Sequence, residues 1–340
     1  MQKRPPVIEP PRPDPRLMQV RYWHPRPLDD VARAIEIIAE VSGSSPTVVM
    51  ARLKKEHEDL GVNVREAMLR HRVPAYQFSE LMREFYATTD AFLYETYCWN
   101  RYPLKQAMRN WIVAFLQRNF SRPARVLSFG DGLGFDSAGL ALAGHDVTYF
   151  DVGNLSQAFS DRIFSDNQVQ VARCHCIDDL HPESFDTVVC LDVLEHVPQP
   201  QHLVQQLSRS LKPGGFFIAH APFWLLDKAV CTHLRDNLQF SGDWRRLYGP
   251  SGLRIVDGTF MWNPLALQMA GALKLASASV WTRTKVAFGG FLLRGSHWCR
   301  LPLTWICRSL IRREGRVLLQ NTAFPTLEDS EGKQRNDHVN

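Results

Sequence analysis

The 340-residue sequence has no uncharged apolar run of the roughly 18 to 20 residues that a helix needs to cross a bilayer, which excludes an integral membrane helix. Its opening stretch, MQKRPPVIEPPRPDPR, lacks the apolar segment of a secretory signal. Seven cysteines form no even, closely spaced framework, so a reducing cytoplasm is expected. Cys174-His175-Cys176 has no second cysteine pair at zinc-site spacing, and no metal is expected. Acidic residues are missing from one long stretch. Between Gly258 and Arg313 the chain carries Lys274, Arg283, Lys285, Arg294, Arg300, Arg308, Arg312 and Arg313 and no Asp or Glu. Because the whole chain is only +5, the remainder is net acidic and the positive charge is local, which implies an anionic partner there.

What is present is enough apolar residue to build a core: 45% hydrophobic against 22% charged excludes a disordered polyampholyte. Residues 1–27 hold eight prolines and read as an extended tail. From Leu28 to about Asn119 the apolar spacing is helical, with Ser45-Pro46 as an N-cap and first helical residue and Gly61 closing that segment. At Arg125 the period changes. Short apolar runs at Arg125–Phe129, Asp146–Phe150, Thr187–Leu191 and Phe216–His220 alternate with helical stretches, the pattern of a parallel α/β sheet. Leu253–Phe260 and, more weakly, Arg316–Gln320 read as further strands. The expected organisation is a tail over 1–27, a helical region over 28–120, an α/β core over 121–262 and a basic apolar extension with a polar tail over 263–340.

The first strand runs into Gly130-Asp131-Gly132-Leu133-Gly134 and then a helix, a turn that lets a ligand lie against bare backbone beside a helix N-terminus. The dinucleotide fingerprint would need glycine at 135, where the chain has Phe135. Seventeen residues past Gly134, Asp151 ends the second strand, where a carboxylate can accept both hydroxyls of a ribose. An acidic turn at Asp178-Asp179 follows. Phe185–Pro198 contains Asp192-Val193-Leu194-Glu195-His196-Val197-Pro198, and Leu211-Lys212-Pro213-Gly214-Gly215 comes next.

In these pieces, in this order and at this spacing, the sequence resembles class I S-adenosylmethionine-dependent methyltransferases over roughly residues 121 to 262. The Asp192–Pro198 stretch and Trp262-Asn263-Pro264-Leu265 look most like the branch that methylates small molecules, including ubiquinone precursors. The resemblance implies an α/β fold, a Rossmann-like methyltransferase core with a helical N-terminal region and a basic helical C-terminal extension. It implies S-adenosyl-L-methionine as cofactor, with Gly130, Gly132 and Gly134 under its methionine portion, Asp151 on the ribose and Asp178 on the adenine amino group. Cys176 and Asp179 are alternatives for the last register. Asp131 and Asp192 complete the expected cofactor-binding set, Asp131 standing near the place where the family carries an acid and this chain has Ser128.

Such chemistry asks the protein mainly to align donor and nucleophile, with a base where the acceptor is a hydroxyl. The candidates are His196 first, then His220, with Glu195 and His233 as further titratable groups after strand ends. The aromatic cluster Phe92, Tyr94, Tyr97, Trp99 and Tyr102 reads as packing for the N-terminal helices, or as a lid over the acceptor. Leu303, Ile306, Cys307 and Leu310 share one helical face, with Trp281, Trp298 and Trp305 interspersed, which reads either as a cover on the core or as an interfacial helix on an anionic membrane through 264–313. The expected partner is a small-molecule acceptor, and the expected location is cytoplasmic, at the inner face of a membrane if the interfacial reading holds. Two rival readings are an RNA or other macromolecular methyltransferase gripping its target through 258–313, and a non-catalytic scaffold. The first is disfavoured because the Asp/Asn-Pro-Pro-aromatic signature of base-amine methyltransferases is missing.

Overall fold

The computed structural model describes residues 24–258, 264–271, 278–294 and 297–325. Most of the expected tail, Trp262-Asn263 and the polar C-terminal residues lie outside them. Six helices come first: α1 (Val31–Ser42), α2 (Pro46–Glu58), α3 (Val62–Arg70), α4 (Glu80–Thr88), α5 (Ala91–Arg101) and α6 (Pro103–Asn119). Their ends follow local chemistry. The Asp30 carboxylate accepts from the Arg33 amide at 3.0 Å and starts α1, left-handed Gly43 ends it, and Ser45 with Pro46 opens α2. Gly61, expected to close a helix, instead precedes α3 in a left-handed turn.

The sheet contains β1 (Arg125–Phe129), β2 (Asp146–Phe150), β3 (Ala172–Arg173), β4 (Phe185–Leu191), β5 (Leu211–His220), β6 (Leu253–Asp257) and β7 (Leu265–Met269), in the order β3-β2-β1-β4-β5-β7-β6. All pairings are parallel except those of β7, which runs antiparallel to both neighbours. Helices α7 (Phe135–Leu142), α8 (Asn154–Asp166), α9 (Pro200–Arg209) and α10 (Trp244–Tyr248) connect the strands. Strand order reverses between β1 and β4, and open α/β sheets bind ligands outside the carboxyl ends of strands at such a point.

The N-terminal helices share a core with the sheet. Ile37, Leu53, Tyr94 and Tyr97 are buried in one cluster with Leu133, Phe135, Tyr149 and Phe159, so the glycine turn and α8 are packed beneath the helical region. The chain ends in α11 (Val280–Arg294) and α12 (His297–Asn321). Arg316–Gln320, read as a strand, is the last part of α12. The reason is packing: Cys307, Ile311 and Leu318 continue one helical stripe onto the body, and Gly315 lies so close to the His57 carbonyl and the Tyr102 hydroxyl that no side chain fits there. Among the described residues, no helix is long and apolar enough to cross a membrane.

Candidate active site

The glycine turn adopts the backbone its residue types permit. Gly130, Gly132 and Gly134 have φ of +72°, +59° and +84°. A side chain on Gly134 would stand 2.7 Å from Ser160, so α8 crosses bare backbone here. The turn is tied to the second strand by one bond: the Gly132 amide donates to Asp151 Oδ2 at 2.8 Å, while Oδ1 accepts from the Gly153 amide at 2.8 Å. Burial raises the Asp151 carboxyl above the ordinary aspartate value, opposed by these amides. Each oxygen keeps a second lone pair, sufficient for the two hydroxyls of a ribose. Val152, the next residue, is 59% exposed, and Asp178 stands exposed on the 3₁₀ turn Ile177–Asp179 that follows β3.

Asp131 caps the first turn of α7, its oxygens accepting from the Asp136 and Ser137 amides at 3.1 and 2.6 Å.

Asp192 is the junction of the site. It follows β4 in the left-handed region, φ +56°, uncommon for a residue with a side chain. Its Oδ1 accepts from His220 Nδ1 at 2.6 Å, and its Oδ2 from Trp99 Nε1 at 3.0 Å and Lys105 Nζ at 3.2 Å. Lys105 also reaches Asp136 at 3.1 Å, and Asp136 receives Arg109 Nε at 2.9 Å. Burial alone would raise both carboxyls, but Lys105 and His220 hold Asp192 well below the usual range, and Lys105 and Arg109 hold Asp136 down. Both Asp192 oxygens are therefore engaged by protein donors.

These cations come from α6, where Lys105 and Arg109 sit four residues apart in a stripe that otherwise contains Ile112 and Leu116. Sequence reading missed them, although two cations in an apolar stripe were the available signal. The aromatic cluster is mostly packing, as read, but Trp99 reaches into the site through its indole N–H.

Glu195, His196 and His233 form a second group. Glu195 is 1% exposed, and neither carboxyl oxygen has a hydrogen-bond partner. Burial, with the nearby Asp192 charge, raises it well above the ordinary glutamate value. Its Oε1 lies 3.9 Å from Nε2 of both histidines. His233 Nδ1 donates to the Leu225 carbonyl at 2.7 Å, and His196 Nδ1 lies 3.0 Å from the Tyr86 hydroxyl. Asn237 holds the turn by donating to the Glu195 and Val197 carbonyls at 3.1 and 2.8 Å. One ligand atom from each member of the trio lies within 4.8 Å of the others, a spacing that can hold a metal ion and that the sequence reading did not anticipate.

Burial lowers His196 from 6.5 to about 4, so the ring is neutral at pH 7. With its folded value depressed, its contribution to stability is complete above pH 6.5 and is lost as pH falls toward 4. An imidazole NMR titration of His196 is expected to find its midpoint near that lower value; a midpoint at the ordinary histidine value would show a hydrated ring.

A family described as a methyltransferase domain matches residues 127–219, from β1 through most of β5. That match agrees with the resemblance to S-adenosylmethionine-dependent methyltransferases read from the sequence. The domain is 35% identical over 119 residues to a ubiquinone biosynthesis O-methyltransferase of Idiomarina loihiensis, covering 32% of this chain and 49% of that one. A protein of the same description from Pseudomonas putida is 36% identical over 110 residues, covering 31% and 46%. The chain spans about half the length of these curated relatives. A magnesium protoporphyrin IX methyltransferase from Synechocystis with bound cofactor is a loose structural likeness, at TM-score 0.39, 20% identity and coverage of 55% and 94%.

The residues of the methyltransferase domain fit that cofactor. The bare backbone at 130–134, the two remaining acceptor sites on Asp151, the exposed apolar Val152 beside it and the exposed Asp178 offer surfaces for the methionine chain, the ribose hydroxyls, the adenine face and its amino group in turn.

Proposed function

We propose that the chain transfers a methyl group from S-adenosyl-L-methionine to a hydroxyl oxygen of a small, lipid-like acceptor, working in the cytoplasm against a membrane surface. The observation that carries the reading is the bond between Gly132 and Asp151, which joins the glycine turn to a ribose-binding carboxylate at the point where strand order reverses. The oxygen acceptor and its lipid-like character rest on the relatives, which are named for O-methylation in ubiquinone biosynthesis. Nitrogen or carbon acceptors would be served by the same cofactor site.

The bound cofactor supplies an activated methyl on a sulfonium, so the protein's work is alignment, exclusion of water and acceptance of one proton. Gly130, Gly132, Gly134 and Asp151 hold the donor. The base is His220. Because a carboxylate can only accept, His220 Nδ1 carries the hydrogen shared with Asp192, and the imidazole is left to accept a proton at Nε2. His196 ranks behind it, since burial lowers its basicity. Asp192 is a positioning residue that orients His220 and fastens α5 and α6 to the strand ends.

His220→Asn is expected to lower turnover by about 10²- to 10⁴-fold, the usual contribution of general base catalysis, with cofactor affinity unchanged. Single-turnover methyl transfer and S-adenosylhomocysteine titration on the same variant check both halves; full activity would remove His220 as base. The reading as a whole is tested by comparing metabolites of cells with and without the protein for a species heavier by one methylene. No such species would count against a small-molecule acceptor.

A further inference from the structure

Helix α11 has two apolar faces. Val286, Gly289, Gly290 and Leu293 are buried on one, where Gly290 packs against the Gly242 backbone. At 3.6 residues per turn, Trp281 and Phe291 fall on the opposite side, and they are 69% and 65% exposed. Exposed Arg283 and Arg294 border this outer face on one side, and Lys285 borders it on the other with its ammonium 5.8 Å over the Trp281 ring. Helix α12, packed beside it, repeats the arrangement: Leu303, Cys307 and Ile311 face the body, and Trp305 is 70% exposed.

The basic segment also divides by direction. Arg308 and Arg312 turn inward to Asp227 at 3.3 Å and Asp59 at 3.5 Å and fasten α12 to the body. Among the described residues, Arg283, Lys285 and Arg294 are ion-paired to no carboxylate. The cover reading and the interfacial reading of this segment thus describe opposite faces of the same helices.

We infer that the outer face of α11 and α12 docks on an anionic phospholipid bilayer, with Trp281, Phe291 and Trp305 entering the acyl boundary and Arg283, Lys285 and Arg294 meeting headgroup phosphates. Charge selects this occupant. A second copy would bring cations against cations, since residues 258–313 contain no acid to answer them, whereas a sheet of phosphates answers all of them at once. The inference rests on the membrane-surface part of the proposed function and assigns it a face and a lipid charge.

The test is co-sedimentation of the full chain with vesicles of phosphatidylcholine alone and of three parts phosphatidylcholine to one part phosphatidylglycerol. Binding to the anionic vesicles is expected to be about tenfold or more tighter and to weaken at high salt. Arg283→Ser with Lys285→Ser is expected to remove most of that preference, and Trp281→Ser with Phe291→Ser to weaken binding to both vesicle types. Millimolar glycerol phosphate is expected not to compete; competition would mean that the cations hold a free phosphate and would overturn the bilayer assignment. Equal binding to the two vesicle types, no binding, or self-association abolished by the Trp281 and Phe291 changes would each overturn it. Titration of the same variants with S-adenosylhomocysteine separates the two claims, because their cofactor affinity is expected to stay at the wild-type value whether or not vesicles bind.

Discussion

Asp136→Ala is expected to lower unfolding stability by about 3 to 5 kcal/mol, the largest single-residue effect anticipated, because it takes one of two carboxylates from a buried ion network and leaves a buried cation without its partner. Asp136 is the carboxylate shared by Lys105 at 3.1 Å and Arg109 at 2.9 Å, and both cations are buried. Lys105 would keep Asp192, but Arg109 would keep only the neutral Asn100 side chain. Outside the protein such a pair counts for little: the half-exposed Lys55–Glu66 pair contributes at most about 1 kcal/mol. Urea unfolding of the two variants Asp136→Ala and Glu66→Ala makes the comparison directly. Similar midpoints would mean that water reaches the α6 cations and that the network is not a closed unit.

Asp151→Ala is expected to weaken cofactor binding by about 1.5 to 3 kcal/mol, roughly ten- to hundredfold, as charged hydrogen bonds to the ribose are lost. The carboxylate has two duties, since it also receives the Gly132 and Gly153 amides. Asp151→Asn separates them in part: an amide oxygen can still hold one backbone N–H while ribose recognition is impaired. The alanine variant should therefore lose affinity and stability, and the asparagine variant chiefly affinity. Unchanged affinity in both would leave Asp151 as a loop-bracing residue.

β1, β2, β4 and the last half of β5 were readable because each is a short, largely buried run set between helical periods. β7 was not, since Leu265–Met269 has no apolar alternation and lies against two antiparallel neighbours that only the fold provides. β3 has two residues, too few for any period. Arg316–Gln320 has strand-like composition, yet it completes a helical stripe whose partners on α2 lie far back in the chain. The glycine turn and the Asp151 strand end were legible because they lie in one continuous strand–turn–helix and at the end of the next strand. The junction around Asp192 was not, because Trp99, Lys105 and His220 come from α5, α6 and β5 and meet only after folding. Asp192 itself carried no mark in the sequence of its left-handed backbone, which the β4 end and its three donors enforce.

The central claim is that the turn at Gly130–Gly134 and the Asp151 carboxylate grip a sulfonium nucleoside. Calorimetric titration of the full chain with S-adenosylhomocysteine tests it with no knowledge of the acceptor. The account predicts saturable binding of one molecule per chain at micromolar concentration, weakened by Asp151→Ala; absence of binding at millimolar concentration would contradict it.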